Sequence, residues 1–372
     1  MKTRKEAVLT GTHTLTGSQA CAEGALSAGC RFLGYYPIIP SFPIIERFAE
    51  RFSDVDGVLI QMEDEVSALA AVLGASWTGR KSMTVTSGPG FSQMAEHIGL
   101  GVMLETPCVI VDVQRDGASE GIPNAAGAGD MMQARWGSHG DYEVIALSPN
   151  SPQELYDLTI RAFNLSEQYR TPVMVMTDAH VCGLRDDITI PDPKDFKIKP
   201  RKYYKGKKED YLPFKYDPKD LVPPMVDISK GYRFHVTGLT HDERGYPVMN
   251  EECQEWNVHR LVHKIRLFAD DIVEIEEDQT EDADVVVVSY GVASRDAIHA
   301  VHRARKEGIK AGSLRLITVW PFPEKRITAL ANTIDRYVVP EINFGQIFLE
   351  VERCARGEAE THFIYHGSSQ IG

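Results

Sequence analysis

Three consecutive acids, Glu63-Asp64-Glu65, stand between the short apolar run Val58-Leu59-Ile60 and the longer run Val66 to Ala75. The dipole of a helix favours acids in its first turn, so up to two of these can be simple N-terminal acids. The helix expected after them, Val66-Ser67-Ala68-Leu69-Ala70-Ala71-Val72-Leu73-Gly74-Ala75, is nearly apolar all round and must be buried. Glu65 adjoins it and is the acid expected to lose its water. Desolvation raises a carboxyl pKa, which suits Glu65 to proton chemistry.

Three other stretches join glycine, proline and charge at a strand end. In Tyr35-Tyr36-Pro37-Ile38-Ile39-Pro40-Ser41 two prolines fix φ and remove two donors, which gives a rigid wall. In Thr84-Val85-Thr86-Ser87-Gly88-Pro89-Gly90 the glycines can bring backbone close to a ring or an anion. No Gly-Lys-Ser/Thr follows and the glycine spacing is not that of a dinucleotide turn, which disfavours a P-loop or a nucleotide-binding dehydrogenase. In Val113-Gln114-Arg115-Asp116-Gly117-Ala118-Ser119-Glu120-Gly121-Ile122-Pro123 an arginine ends an apolar strand. It can grip a substrate carboxylate with two hydrogen bonds, or pair with Asp116 or Glu120 as a structural bridge.

These stretches need a scaffold that gathers strand ends. Short apolar runs alternate with amphipathic ones from Gly17 to Asp178, the pattern of βαβ units on a parallel sheet. Strands are predicted at Phe32–Tyr36, Val58–Gln61, Ser82–Thr86, Pro107–Val113, Glu143–Ala146 and Pro172–Thr177. Helices are predicted at Gln19–Ala28, Pro43–Phe52, Glu65–Trp77, Ser92–Leu104 and Ser151–Gln168. Open α/β sheets bind ligands at the carboxyl ends of their strands, so each junction is a candidate site. The fold class is α/β, with residues 1–189 as its first domain.

Residues 190–249 read as a linker or arm. The stretch from Lys194 to Lys215 holds eight Lys and one Arg, which suits a solvated segment or a surface for an acidic partner. Residues 250–372 then form a smaller α/β domain. It comprises a helix over Asn250–Ile275, strands at Val285–Ser289, Gly312–Thr318 and Arg336–Pro340, and helices at Ala293–Glu307 and Pro323–Thr333.

A net charge of −13 repels phosphate backbones and anionic lipid, which argues against nucleic acid as a partner. The six cysteines lie far apart, with no spacing that would hold zinc or an iron–sulfur cluster, so no metal site is expected on this chain. No apolar h-region follows Met-Lys-Thr-Arg-Lys-Glu at the start and no run reaches membrane-spanning length, so a reducing cytoplasm is the expected compartment.

In this order YPIIPS, QMEDE with its apolar helix, TSGPGFS, ETPCVIVDVQR and GDMMQARWGSHGD resemble the α subunit of 2-oxoacid:ferredoxin oxidoreductases, most of all the 2-oxoglutarate type. GLTHDERGYP and VVPEINFGQI extend the resemblance over nearly the whole chain. It implies a pyrimidine-type thiamine-diphosphate-binding domain followed by a transketolase C-terminal-like domain. It also implies oxidative decarboxylation of a 2-oxoacid to acyl-CoA and CO2 with reduction of ferredoxin, reversible in principle. Carried over residue by residue, Glu65 is the catalytic group at ring nitrogen N1′, and Pro37, Ser87 and Gly88 join it in holding the cofactor. Tyr36, Ile39 and Arg115 face the substrate. No Gly-Asp-Gly is present to bind the diphosphate through Mg²⁺. The resemblance therefore assigns Mg²⁺ and a [4Fe–4S] cluster to a β subunit, with γ and ferredoxin-like δ subunits as further partners.

Two departures bear on the substrate. Ile39 stands where family members usually carry Thr, and Asp116 and Glu120 replace a Gly and a Thr beside Arg115. The acids either turn outward or compete with an anionic substrate. A less polar or atypical 2-oxoacid (branched, aromatic or oxalate-like) is the alternative substrate, and a non-catalytic scaffold paralogue is the alternative from a different class.

Overall fold

The computed structural model describes residues 8–365 and 367, so the Met1 to Glu6 stretch read above lies outside the described residues. The first half of the chain runs β1 (Gly11–Thr16), α1 (Gly17–Ala28), β2 (Cys30–Tyr35), α2 (Phe42–Val55), β3 (Val58–Gln61), α3 (Glu65–Trp77), β4 (Lys81–Thr86), α4 (Gly88–Met103) and β5 (Cys108–Asp116). It continues through β6 (Ile122–Ala126), α5 (Met131–Trp136), β7 (Ile145–Leu147), α6 (Pro152–Tyr169), β8 (Pro172–Asp178), α7 (Ala179–Gly183) and β9 (Arg185–Ile190). After an irregular stretch come α8 (Glu251–Arg266), α9 (Ala269–Ile272), β10 (Ile275–Asp278), β11 (Val285–Tyr290), α10 (Ala293–Lys306), β12 (Ala311–Leu316) and β13 (Thr318–Trp320). The last elements are α11 (Glu324–Ala331), β14 (Arg336–Glu341), α12 (Gln346–Ala355) and β15 (Glu360–Tyr365).

The larger sheet has the order β13-β7-β8-β5-β4-β2-β3, with β6 paired to β5. From β7 to β3 every neighbour is parallel. Strands β4, β5 and β8 are almost wholly buried along their length, as helices on both faces of a parallel sheet require. The smaller sheet has the order β10-β12-β11-β14-β15 and is parallel except for β10. A two-stranded ribbon joins β1 to β9.

Three differences from the sequence-based expectations have local causes. Helix α4 begins at Gly88, not Ser92: the glycine-rich turn is itself the helix's first turn, and Pro89 sits where its missing N–H costs nothing. The strand expected over Gly312–Thr318 is two strands in different sheets, since β12 stays in the smaller sheet while β13 pairs antiparallel with β7. The helix expected over Asn250–Ile275 stops at Arg266; Asn250 is its cap, accepting from the Cys253 amide.

Residues 190–249 carry little regular structure yet are anchored by side chains. Phe214, Val222, Met225 and Val226 are buried. Arg201 forms a two-point ion pair with Glu167, with contacts of 2.7 and 2.8 Å. Arg170, fully buried, donates to the carbonyls of Pro213 and Pro223. Backbone without a ladder is thus partly satisfied by the guanidinium of Arg170 at the end of α6, while Arg201 reaches from the stretch itself back to α6. Several of the lysines are also occupied, with Lys202 on Asp220 and Lys194 on Asp192.

One buried ion cluster ties α8 to this assembly. Glu105 accepts from Arg260 at 2.5 and 2.9 Å and from Lys264 at 2.8 Å, and all three side chains are buried. Burial alone would raise the Glu105 carboxyl, but Arg260 and Lys264 outweigh it and hold it well below the usual carboxylate range. A depressed folded-state pKa contributes stability at neutral pH that is lost as pH falls through the acid range. Glu105→Gln leaves buried cations without their counter-charge and is expected to cost about 3–5 kcal/mol. Chemical denaturation at neutral pH measures this, and an unshifted midpoint would show that the cluster contributes nothing.

Candidate active site

Strands β3, β2, β4 and β5 are consecutive parallel neighbours, so their carboxyl ends open on one edge of the sheet. That edge carries the four chemistry-bearing stretches. At the end of β3 the Met62 amide donates to the Tyr35 carbonyl at 2.8 Å, which pins the β3–α3 turn to the end of β2. The three acids then part company. Glu63 is exposed. Asp64 is the N-cap of α3 and accepts from the Ser67 amide at 2.6 Å, a bond that holds its carboxyl below the ordinary value. Glu65 is the first residue of the helix, is 2% exposed, and has its pKa raised, first by burial.

Burial of Glu65 depends on Gly90, in the first turn of α4. A Cβ at Gly90 would lie 2.4 Å from Glu65 Oε1 and 2.3 Å from Thr86 Oγ1, so only glycine lets the carboxyl and the hydroxyl meet the helix backbone there. Thr84, Thr86 and Ser87, in a row along β4 and into the α4 cap, are buried, and their hydroxyl oxygens have no partner within the chain.

On the neighbouring strand the side chain of Arg115 lies against Gly88, whose Cβ position is 3.8 Å from Nε. Gly88 itself has φ +28°, a conformation that favours glycine. Arg115 Nη1 donates to the Ile39 carbonyl at 2.7 Å, and Nη2 to Glu120 at 2.7 Å. The structural pairing of Arg115 weighed in the sequence is therefore present, with Glu120 as partner. The structure brings Glu65 together with the Ser87–Gly90 turn, and Arg115 together with Gly88 and Ile39. Tyr36 and Ile39 are exposed at 37% and 54%, on the segment that leaves β2, and Pro37 is half-buried between them.

Sequence reasoning missed a pair of acids directly behind Arg115. Asp112, in the middle of β5 and paired in register with Thr86, is fully buried, and neither of its carboxyl oxygens meets a donor side chain. It lies against the carboxyl group of Asp130, the N-cap residue of α5. Burial, then the charge of Asp130, raises Asp112 well above the ordinary value; burial also raises Asp130. The Gly88 amide opposes this shift without reversing it. The signal was an isolated Asp within the otherwise apolar Pro107–Val113 run.

Among the described residues no group of three or more His, Cys, Asp or Glu side chains could hold a metal ion, and no helix is long and apolar enough to cross a membrane. The six cysteines are free; burial pushes the thiols of Cys21, Cys30 and Cys108 up to about 12.

Comparison with known proteins gives these features a lineage. A family model described as pyruvate flavodoxin/ferredoxin oxidoreductase, thiamine diphosphate-binding, matches residues 23–258, and one described as pyruvate:ferredoxin oxidoreductase core domain II matches residues 283–370. The chain is 51% identical over 357 residues to the 2-oxoglutarate synthase subunit KorA of Methanothermobacter thermautotrophicus, covering 96% of this chain and 94% of that one. It superposes with a TM-score of 0.90 and 31% identity on the 2-oxoglutarate:ferredoxin oxidoreductase of Magnetococcus marinus, solved with 2-oxoglutarate, coenzyme A and succinyl-CoA bound. That match covers 97% of this chain but only 64% of the solved chain, less than two thirds of its length. A split-gene transketolase, at 12% identity and a TM-score of 0.53, shares the fold alone. Matches over residues 23–258 and 283–370, together with half-identity to a relative of nearly equal length, mean that the chain belongs to the pyruvate flavodoxin/ferredoxin oxidoreductase family.

Proposed function

We propose that this chain is the α subunit of a thiamine-diphosphate-dependent 2-oxoacid:ferredoxin oxidoreductase. In this reading it oxidatively decarboxylates 2-oxoglutarate to an acyl-CoA and CO2 and passes the electrons to ferredoxin, a reaction reversible in principle. The observation that carries the reading is the buried Glu65 carboxyl packed against Gly90, on the sheet edge that also presents Arg115. The names of the relative in Methanothermobacter and of the solved Magnetococcus enzyme support the substrate.

The residues fit half of the cofactor. Thr86 and Ser87 supply buried hydroxyls without partners, and at Gly88 the nearest atoms to a Cβ position are those of Arg115, at 3.8 Å and beyond, while Gly90 seats Glu65. Bound thiamine diphosphate would supply a carbon nucleophile for the 2-oxo group and a sink for the electron pair released with CO2. Glu65 holds a proton toward ring nitrogen N1′, a task for which its raised pKa suits it. Ser87, Gly88 and Pro37 would line the ring. Arg115 holds a substrate carboxylate at a fixed angle because the Ile39 carbonyl anchors its Nη1. Tyr36 and the Ile39 side chain border the substrate and, being exposed in the single chain, become covered when a second subunit seats on this edge.

The diphosphate, its Mg²⁺ and a [4Fe–4S] cluster fall to a β subunit, with γ and δ subunits, ferredoxin and coenzyme A as further partners. The free thiols, buried in all but Cys253, suit a reducing cytoplasm. The exposed Ile39 favours a second reading, in which the substrate is a less polar 2-oxoacid, because an isoleucine side chain cannot donate a hydrogen bond.

In the purified complex Glu65→Gln is expected to lower kcat by about 10²- to 10⁴-fold, the usual share of general acid–base catalysis. Viologen-dye reduction with 2-oxoglutarate and coenzyme A measures it, and normal turnover would remove the assigned role. Across a panel of 2-oxoacids, Ile39→Thr is expected to shift kcat/KM toward the more polar acids by about two- to twelvefold, the worth of one net hydrogen bond. An unchanged ranking would detach position 39 from substrate choice.

A further inference from the structure

The guanidinium of Arg115 is engaged unevenly. Nη1 is fixed on the Ile39 carbonyl at 2.7 Å, Nη2 meets one oxygen of Glu120 at 2.7 Å, and Nε is buried with no partner. The Nε–H and an Nη2–H point the same way along one edge of the planar group, the edge on which a carboxylate can bind with both oxygens. Glu120 fills half of that edge. It does so from a side chain that is 80% exposed, whereas that of Arg115 is 3% exposed.

The surroundings make this contact the replaceable one. Two strands hold the ends of the Glu120 turn, with Arg115 paired to Ala126 and Asp116 to Ile122, so the turn is short and fixed at its base. Gly121, at φ +49°, closes it: a Cβ there would meet the Asp116 carbonyl at 1.9 Å. Behind Arg115 lie Asp112 and Asp130, both interacting with its charge. Glu120 adds a further acid beside the same guanidinium. A substrate anion adds to these, and Arg115 accommodates it only if the exposed acid leaves. Anchoring of Nη1 lets Glu120 depart without moving the guanidinium.

We propose that Glu120 is a displaceable latch on Arg115. It occupies the Nη2 side in the free enzyme and yields the Nε–Nη2 edge to a substrate carboxylate, so it sets how strongly a 2-oxoacid must bind to enter. The proposal rests on the reading of Arg115 as the carboxylate holder. Glu120 is a specificity residue that acts through Arg115 and takes no part in the bond-making steps.

Glu120→Gln in the whole complex is expected to lower KM for 2-oxoacids by about two- to fivefold, the size of an exposed ion pair, while kcat changes less than KM. Added salt should shrink the gap between the two forms, because it screens the exposed partner. A fall in KM for every 2-oxoacid would mean that the latch competes with the carboxylate beside the oxo group. A fall confined to dicarboxylic acids would mean that it competes with the second carboxylate. Either result supports the latch. An unchanged or raised KM across the panel overturns it. Complete absence of turnover would count against the enzymatic reading instead, and calorimetric binding of the same acids to both forms would still decide the latch.

Discussion

The contact between the Glu65 carboxyl and the backbone of α4 at Gly90 is the constraint around which the site is organised. A carboxyl group can be removed from water at a helix start only if neighbouring backbone comes close enough to exclude solvent, and here the margin is smaller than one methyl group. The contact requires that β3 and β4, the strands leading into the two helices, end on the same edge. This follows from placing both beside β2 in parallel register. The capping of α3 by Asp64 frees Glu65 from any duty at the helix terminus. Two adjacent acids of the same type and charge class thus end with opposite pKa shifts, lowered for the cap and raised for the buried residue.

A second organising principle is that arginines stand in for secondary structure. Arg170 and Arg201 hold the irregular 190–249 stretch against the first sheet's elements, and Arg260 with Lys264 holds α8 to Glu105. Each guanidinium satisfies carbonyl or carboxylate groups that would otherwise be buried alone. In Arg115 the same chemistry is only partly completed, with Nε left without a partner. Arg170 Nη2 and Arg260 Nε are likewise without a partner, so what sets Arg115 apart is its ion pair to an exposed acid, Glu120, on the edge that gathers the chemistry-bearing stretches.

Much of the sheet was legible because parallel strands buried on both faces read as continuous apolar runs: β5 and β8 fall within a residue or three of their predicted limits. Glu65 was legible from the apolar helix that follows it, although that helix is buried on one face only, with Ala70 and Gly74 exposed, and Gly90 completes the burial. Local patterning could not reveal which sheet a short strand joins. Leu316 and Thr318 are both buried, and nothing in their spacing shows that the chain changes sheets at Ile317. The capping of α1 by Thr16 and Gln19 was overlooked in a legible signal, whereas the anchoring of residues 190–249 lay in isolated aromatic and arginine positions without a period. The Asp112–Asp130 contact joins residues from a strand and a distant helix cap, a proximity that only the tertiary fold creates.

Strand β13 gives the molecule an order of assembly. The outer edge of β7 gains its hydrogen-bonding partner only from Thr318–Trp320, a segment that leaves the ribosome well over a hundred residues after β7 itself. At synthesis rates of about 5–20 residues per second, that edge stays open for roughly ten seconds or more. An unpaired parallel edge is a template for wrong strands as well as right ones. The nascent sheet is therefore most exposed to chaperones and to mispairing in that interval, and Trp320, whose indole N–H donates to the Met131 carbonyl, is the residue whose arrival closes it.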